Sequence, residues 1–543
     1  MGGKRMNKKL IIGLLLLMIL SMIIVYTIPT SKRTGPTFYN VVGADTVAHM
    51  GTVRSIRNGN SPSIDQYYDN GIPRAYSWAW HWLMAVIPIN VMTLLTWSPL
   101  VFWILSLLGI FYAGYLLMGK KYGILLAAFY FFIVDKSIAN PNPKNLLMAT
   151  ALLSIAFIYK AYNSEKIWWS IAAGAMIGIT FMNYSMMIAL IPIPIVFFLL
   201  DIKKWRNNLI KTLVIVFVAL LISMPYWLPM VSHIDASGAQ AQSISSSISQ
   251  YEGDPLPKRL WEVTGEFFMG NWYFIPFFMA GIYLMYLLKD SRAKIFIASY
   301  IVFFIGRFHD IPTRIFLHWQ GVQPFYFPEY VYYIFYFIII IGFLGLIDLL
   351  QEKTKKEFVG KTLVIILVLV AVVIGSLQAY QYLEVGPESW QGFIKKSYTP
   401  LEPWIANPAN WINEHTGTTD VIAAHPMYAY MIFGMTGRPI YAAMYGHMLS
   451  LSDDNWRRLD AQEIYGTNST DRALELLKKR NTSYLIVDPF IIQNQWFQTD
   501  NWEVILGIEQ MPVTNNNFAK FENNTHFEPV YNYTGITIYR VHY

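Results

Sequence analysis

The sequence contains no cysteine, which excludes disulfides, thiolate metal sites and a thiol nucleophile. It is also poor in charge, with 14% of its 543 residues charged against 55% hydrophobic. A soluble globule of this length needs more polar surface than that to cover it. No Gly-rich phosphate loop, HExxH helix, GxSxG elbow or metal-finger spacing is present. An energised pump is therefore not expected. The net charge of +7 does not point to a nucleic-acid partner, because the Lys and Arg residues are scattered through short loops between apolar runs.

What the chain has instead is apolar runs, and aromatic residues at 16%, as befits Trp and Tyr at both membrane interfaces. Lys4, Arg5, Lys8 and Lys9 precede an apolar stretch from Leu10 to Ile28, about 19 residues and long enough to cross a bilayer. No small-x-small cleavage site follows, so this reads as an uncleaved first transmembrane helix. Further runs long enough to cross, or nearly so, lie at 99–118, 122–134, 145–162, 167–182, 184–200, 209–229, 271–288, 293–306, 330–350 and 361–380.

One more segment, 76–97, opens with Tyr76-Ser77-Trp78-Ala79-Trp80-His81-Trp82 and is interrupted by Pro88. If it does not cross, Lys120-Lys121, Lys160 with Lys166, Lys203-Lys204-Arg206, Lys289-Arg292-Lys294 and Lys353-Lys355-Lys356-Lys361 all fall on the cytoplasmic side. If it crosses, every one of these clusters lands outside. The expectation is a polytopic α-helical membrane protein of about 11 spans plus one re-entrant or interfacial segment. Its N-terminus is cytoplasmic, and it sits in the cell membrane as a multi-pass protein.

Beyond about residue 383 the chain turns polar. The expected division is a transmembrane domain, 1–383, with a first outer loop at 29–78, and an extracytoplasmic α/β domain, 384–543. Asn468, Asn481, Asn523 and Asn532 each begin an N-glycosylation sequon, which agrees with an extracellular tail. Within it, Pro408 to His415 reads as a helix and Asp420 to His425 as a buried strand. A helix capped by Ser469 or Thr470 follows, with Asp471 in its first turn and Glu475–Lys479 spaced for an ion pair. Ser483 to Asp488 reads as a second strand, and VYNYTGITIYRV as a hairpin around Thr534-Gly535.

Polar residues close to the membrane concentrate in the outer loops. In the first loop, Asp45 and His49 are four apart and would share one helix face. A carboxylate beside an imidazole can act as a general base or hold a cation; equally, Asp45 can cap a helix and His49 pack beneath the loop. In the loop after 293–306, Arg307, His309, Asp310, Arg314 and His318 gather charge at the membrane surface. Guanidinium groups grip phosphate as a fork, so Arg307 and Arg314 suit a lipid-phosphate head group; equally, they can anchor helix ends. Between 231 and 270, a Ser- and Gln-rich stretch precedes Glu262 and Glu266, which share a helix face. Asp135 stands near an outer face beside Asn140, Asn142 and Lys144, in an Asn-Pro turn.

A single helix, a long outer loop opening with Asp45-Thr-Val-Ala-His49, the aromatic-His segment Tyr76 to Trp82, many short-looped helices and an outer tail together resemble the GT-C glycosyltransferase superfamily. That class includes archaeal oligosaccharyltransferase catalytic subunits and protein O-mannosyltransferases. The resemblance covers nearly the whole chain in organisation, and in detail it rests on a few residues. Lys120-Lys121 resembles a segment that follows in such enzymes, and residues 410–443 resemble the opening of the outer domain in archaeal oligosaccharyltransferases. The chain departs from the latter in lacking a Trp-Trp-Asp motif, near whose place stands Ala424-His425-Pro426-Met427-Tyr428. It also carries Asn-Pro-Asn-Pro-Lys-Asn-Leu where a second acidic motif is expected.

The resemblance implies transfer of a sugar from a polyprenyl- or dolichyl-phosphate-linked donor to a lipid-linked glycan or protein acceptor on the outer face. Asp45 would be the catalytic carboxylate, activating the acceptor or holding a metal, with His49 beside it. Arg307, Arg314 and His309 would bind the donor phosphate, and Asp135 or Asp310 would supply any second acidic group. If a divalent cation (Mg or Mn) takes part, Asp45 is its ligand; no other cofactor is implied. The partners would be membrane lipids, the lipid-linked sugar and the acceptor. Two other functions fit the pattern: a lipid-linked saccharide transporter or flippase, and a non-catalytic GT-C-like scaffold.

Overall fold

The computed structural model describes residues 7–31, 44–64, 67–68, 77–132, 146–201, 205–234, 256–270, 272–287, 292–306, 327–354, 357–384, 403–443, 454–488, 515–522 and 525–543. In chain order it begins with helices α1 (Lys8–Ser31), α2 (Ala44–Arg57), α3 (Ala79–Val86), α4 (Val91–Met118), α5 (Lys120–Phe132) and α6 (Leu147–Asn163). Next come α7 (Trp168–Asn183), α8 (Pro192–Leu200), α9 (Trp205–Ile234), α10 (Leu256–Gly270), α11 (Ile275–Leu287) and α12 (Arg292–Gly306). Two long helices follow, α13 (Phe327–Thr354) and α14 (Glu357–Glu384). The remainder is α15 (Pro403–His415), β1 (Val421–Ala423), α16 (Pro426–Thr436), α17 (Asp454–Gly466), α18 (Thr470–Lys478), β2 (Thr482–Val487), β3 (Phe527–Tyr533) and β4 (Ile536–Val541).

The chain divides into two compact units. One comprises Met1–Lys32, Trp97–Trp227 and Ser245–Gln391; the other comprises Arg33–Thr96, Leu228–Ile244 and Gly392–Tyr543. Residues 33–96 thus group with the C-terminal segment in a single unit. The first unit is helical. Among the described residues, four helices are long and apolar enough to cross a membrane: Lys8–Ser31, Val91–Met118, Trp205–Pro229 and Gly360–Gln381. The apolar helices Leu147–Asn163, Met187–Leu200, Trp272–Tyr286 and Ile334–Leu349 are shorter. The run at 184–200 is not one helix: a 3₁₀ turn, Ser185–Leu190, leads into the nine-residue α8, with Pro192 in its first turn and Pro194 behind it. Proline has no N–H to continue the preceding turn but suits the first turn of a new helix.

In hydrocarbon, apolar side chains gain little by leaving lipid for one another, so close approach of helix backbones has to supply the packing. Gly174 and Gly178, four apart on α7, face α9. A Cβ on Gly174 would sit 2.6 Å from the Ile215 carbonyl oxygen, and one on Gly178 would sit 2.8 Å from that of Ala219. Charged groups at helix ends pair across to neighbouring ends. Lys121 at the start of α5 meets Asp348 in α13, and Lys294 in α12 lies 2.5 Å from Asp201, just past α8. Lys211 Nζ donates to the Ser164 carbonyl at 2.7 Å.

The second unit carries a four-stranded sheet of order β1-β2-β4-β3. β1 and β2 run parallel, while β4 is antiparallel to both β2 and β3. The strands and hairpin expected at 420–425, 483–488 and 530–541 are these elements. At the hairpin tip Thr534 and Gly535 have φ of 50° and 90°, the paired left-handed conformations of a two-residue turn. The helix expected from Pro408 begins earlier, at Pro403, with Pro408 inside it.

Ser469 caps α18, its hydroxyl accepting from Arg472 N at 3.2 Å. The expected Glu475–Lys479 pair does not form. Glu475 binds Arg472 at 2.8 Å and Lys479 reaches Asp460 on α17 at 2.8 Å, because packing of α17 against α18 brings a carboxylate nearer than the next helical turn does. Tyr441, Ile464, Tyr465, Leu477, Leu485, Phe521 and Phe527 form the core between these helices and the sheet. Substituting Gly178→Leu forces α7 off α9, and overpacking of this kind costs about 1–3 kcal/mol. The expected outcome is a lower midpoint of heat-induced aggregation in detergent, while Ile179→Leu, on the exposed side of α7, leaves it unchanged.

Candidate active site

The predicted site begins on α2, whose hydrophobic residues Val47, Ala48, Met50 and Val53 are buried. Helix α2 lies against α16 through glycines. At Gly51 an added Cβ would run into the Phe433 ring; at Gly434 it would meet Val47 Cγ1 at 2.5 Å. Gly437 ends α16 with φ of 67°, its N–H donating to the Phe433 carbonyl at 2.7 Å. This is the left-handed helix stop that glycine adopts without penalty.

Polar groups complete the contact. Arg54 donates to the Met435 carbonyl, and Asn58 Nδ2 to the Thr436 carbonyl at 3.1 Å. Both satisfy carbonyls that the end of α16 leaves open. Burial, and then the neighbouring Arg57 charge, lower Arg54 to about 10. Past α2, Tyr67 lies 4.4 Å from Phe433 ring to ring and its carbonyl accepts from Ile440 N at 2.7 Å. The Arg457 guanidinium sits 4.0 Å over the Tyr68 ring. Tyr67, Tyr68 and α2 are therefore held by α16, Ile440 and α17 at several points.

Helix α3 lies on the other side of α2. Its eight residues rise about 12 Å, less than half of the roughly 30 Å of hydrocarbon in a bilayer. Trp80, His81 and Met84 are buried, while Trp82, Leu83 and Val86 are exposed. Arg57 at the end of α2 clamps the end of α3. Its guanidinium donates to the carbonyls of Ala85 (3.1 Å), Ile89 (2.8 Å), Met84 (3.2 Å) and Ile87 (2.5 Å).

Asp45 is the second residue of α2, and His49 follows one turn later. His49 is 5% exposed, and its Nδ1 lies 2.8 Å from Nε2 of His81, which is fully buried. Trp80 flanks both rings, 5.3 Å from His49 and 5.1 Å from His81 between centroids. Arg307, His309, Asp310 and Arg314 fall within 307–326, Asp135 within 133–145 and Asn523 within 523–524, all outside the described residues. Asn468, Asn481 and Asn532 are exposed. Among the described residues no group of three or more His, Asp or Glu gathers as a metal site requires.

Sequence reasoning missed His81, Arg54 and Arg57. His81 sits in the aromatic segment already singled out, but its partner lies 32 residues away and no spacing rule connects them. His425, near the place of the missing Trp-Trp-Asp motif, is buried ahead of α16, and burial lowers it to about 4.

The family profile described as "Dolichyl-phosphate-mannose-protein mannosyltransferase" matches residues 73–228, from just ahead of α3 into α9. No curated protein matches in sequence. Among solved structures, the archaeal oligosaccharyltransferase AglB from Archaeoglobus fulgidus, in complex with an inhibitory peptide and a dolichol-phosphate, is similar at a TM-score of 0.54 and 12% identity. The match covers 98% of this chain and 74% of that one. ArnT from Cupriavidus metallidurans, bound to undecaprenyl phosphate, is similar at 0.53 and 11% identity, over 97% of this chain and 98% of that one.

Two outcomes follow from this geometry. Arg57→Ala removes four hydrogen bonds from an exposed guanidinium, each worth about 0.5–1.5 kcal/mol. Amide exchange over 79–90 should quicken at least tenfold, with the β2–β4 amides unchanged. His425 is held neutral by burial in the folded chain, so folding opposes its protonation. Its contribution is intact above about 6.5 and is lost as pH falls toward 4, amounting to about 3 kcal/mol. A melting series from pH 7 to 4 should fall more steeply for the native chain than for His425→Gln. In fold, the chain is similar to these two membrane proteins, and its residues 73–228 match the mannosyltransferase profile.

Proposed function

We propose that the chain is a glycosyltransferase that takes a sugar from a polyprenyl- or dolichyl-phosphate-linked donor and passes it to a glycan or protein acceptor on the outer face of the cell membrane. The observation that carries this reading is the fold, shared with one protein holding a dolichol-phosphate and another holding undecaprenyl phosphate. The match of the mannosyltransferase profile over 73–228 supports it. So does the position of α2, which brings Asp45 and His49 into the compact unit that carries the sheet.

In the reaction the acceptor oxygen attacks the anomeric carbon, the carbon–oxygen bond to phosphate breaks, and the lipid phosphate leaves with the bonding pair. The acceptor proton passes to the Asp45 carboxylate. Arg307 and Arg314, with His309, stabilise the charge that grows on the departing phosphate. The topology that serves this chemistry is the one the charge clusters imply. It has a cytoplasmic N-terminus, about 11 spans, α3 lying in the outer interface, and the sheet-bearing segment outside. The exposure of Asn468, Asn481 and Asn532 suits that placement.

Purified protein supplied with polyprenyl-phosphate sugars tests the proposal. Transfer should be detected, and Asp45→Asn should reduce it by about 10²–10⁴-fold with expression and elution volume unchanged. Undiminished transfer by the variant removes Asp45 from the role of base. Lipid flipping without transfer assigns the chain to transport instead.

A further inference from the structure

The contact between His49 and His81 carries an inference about how the site is held. The two ring nitrogens stand 2.8 Å apart in a buried setting, which is hydrogen-bond distance for N–H···N. Such a contact needs one N–H and one lone pair. Two protonated nitrogens would repel, and two lone pairs would leave both desolvated without a donor. The bond couples the two tautomers: if His81 donates, His49 carries its proton on Nε2, and if His49 donates, on Nδ1. It uses Nδ1, so anything His49 does toward a substrate or toward Asp45 passes through Nε2.

The surroundings keep this arrangement rigid. His81 lies on a helix only eight residues long, which would not keep its place by its own backbone bonds. Arg57 ties the four carbonyls at the end of that helix to α2, the helix that bears His49. Trp80 fills the angle between the two imidazoles. On the far side, α2 is seated on α16 by Gly51 and Gly434. The two histidines are thus carried by elements that cannot slide past each other without breaking both attachments.

We propose that His81 is a positioning residue for His49: through one N–H···N bond it ties the tautomer of His49 to its own and holds the His49 ring plane, one turn beyond Asp45. A ring held this way keeps one orientation, and the protonation of its Nε2 follows the tautomer of His81, as partner hydrogen bonds govern functional histidines generally. The catalytic consequence rests on the glycosyltransferase reading; the hydrogen bond and its effect on the tautomer do not.

The choice of nitrogen supplies the test. Glutamine places an amide group near the position of a histidine Nε2, asparagine near that of Nδ1, and phenylalanine fills the ring volume with neither. At position 81 the bonded atom is Nε2. His81→Gln should therefore keep transfer within about threefold of the native chain. His81→Asn and His81→Phe should each lower kcat by about 10–100-fold with KM for the lipid-linked sugar unchanged. Equal activity of the Gln and Phe variants would overturn the proposal, since volume alone would then suffice.

The second measurement does not depend on activity. The chain has ten histidines, and ¹⁵N-histidine spectra of the full-length protein in detergent report each tautomer. The His49 signals, assigned with His49→Asn, should keep the native tautomer distribution in His81→Gln and change it in His81→Phe. An unchanged tautomer distribution in all variants overturns the positioning role, even if transfer is robust. If no lipid-phosphate sugar is transferred by any variant, the enzymatic reading falls, and the spectra alone decide the pairing.

Discussion

The contact on which the candidate site depends is the close seating of α2 on α16, and it is possible only because side chains are missing there. At Gly51 and Gly434 a single added carbon would collide with Phe433 and Val47. The backbones can then approach until Arg54 and Asn58 reach the last carbonyls of α16. Glycine in a helix costs about 1 kcal/mol relative to alanine, and here that cost is offset by capping a helix end and burying the apolar face of α2. Helix α16 stops ahead of Gly437, whose φ of 67° ends it at the level where Arg54 meets it.

From that seat the geometry spreads outward. Helix α2 carries Asp45 and His49, and its last residue, Arg57, holds α3 and with it His81. A helix of eight residues with one buried and one exposed face would drift if left to itself. Four carbonyl hydrogen bonds to a single guanidinium fix it instead. The same device recurs in the sheet-bearing unit, where Lys520 Nζ donates to the carbonyls of Tyr465, Thr467 and Asn517 at 3.0, 2.7 and 2.6 Å. In both places a long cation closes backbone groups that irregular chain would otherwise leave bare.

Much of the architecture is legible from local pattern. Among the described residues the apolar runs fall on helix, since sustained apolarity over helical lengths is read from local sequence alone. The exception in form, 184–200, is broken at Pro192, where the missing N–H outweighs apolarity. In the sheet-bearing unit the hairpin at Thr534-Gly535 and the cap at Ser469 are readable because turn and cap chemistry act within three or four residues. The Glu475–Lys479 pair is misread for the converse reason: helical spacing makes a contact available, and Asp460 and Arg472, brought in by packing, compete more strongly.

What composition and local order decide is therefore the helical membrane class, the polar tail with its strands, and the face that Asp45 and His49 share. Those depend on periods of two and 3.6 residues and on charge counts, which no folding is needed to read. Tertiary structure alone decides that residues 33–96 belong with the C-terminal segment and that α2 meets α16 across some 380 residues. It alone decides that His81 is the partner of His49. Each of these joins residues far apart in the chain, and their complementarity lies in shape and in which nitrogen or carbonyl is left facing outward. Such properties exist only once both elements are formed and packed.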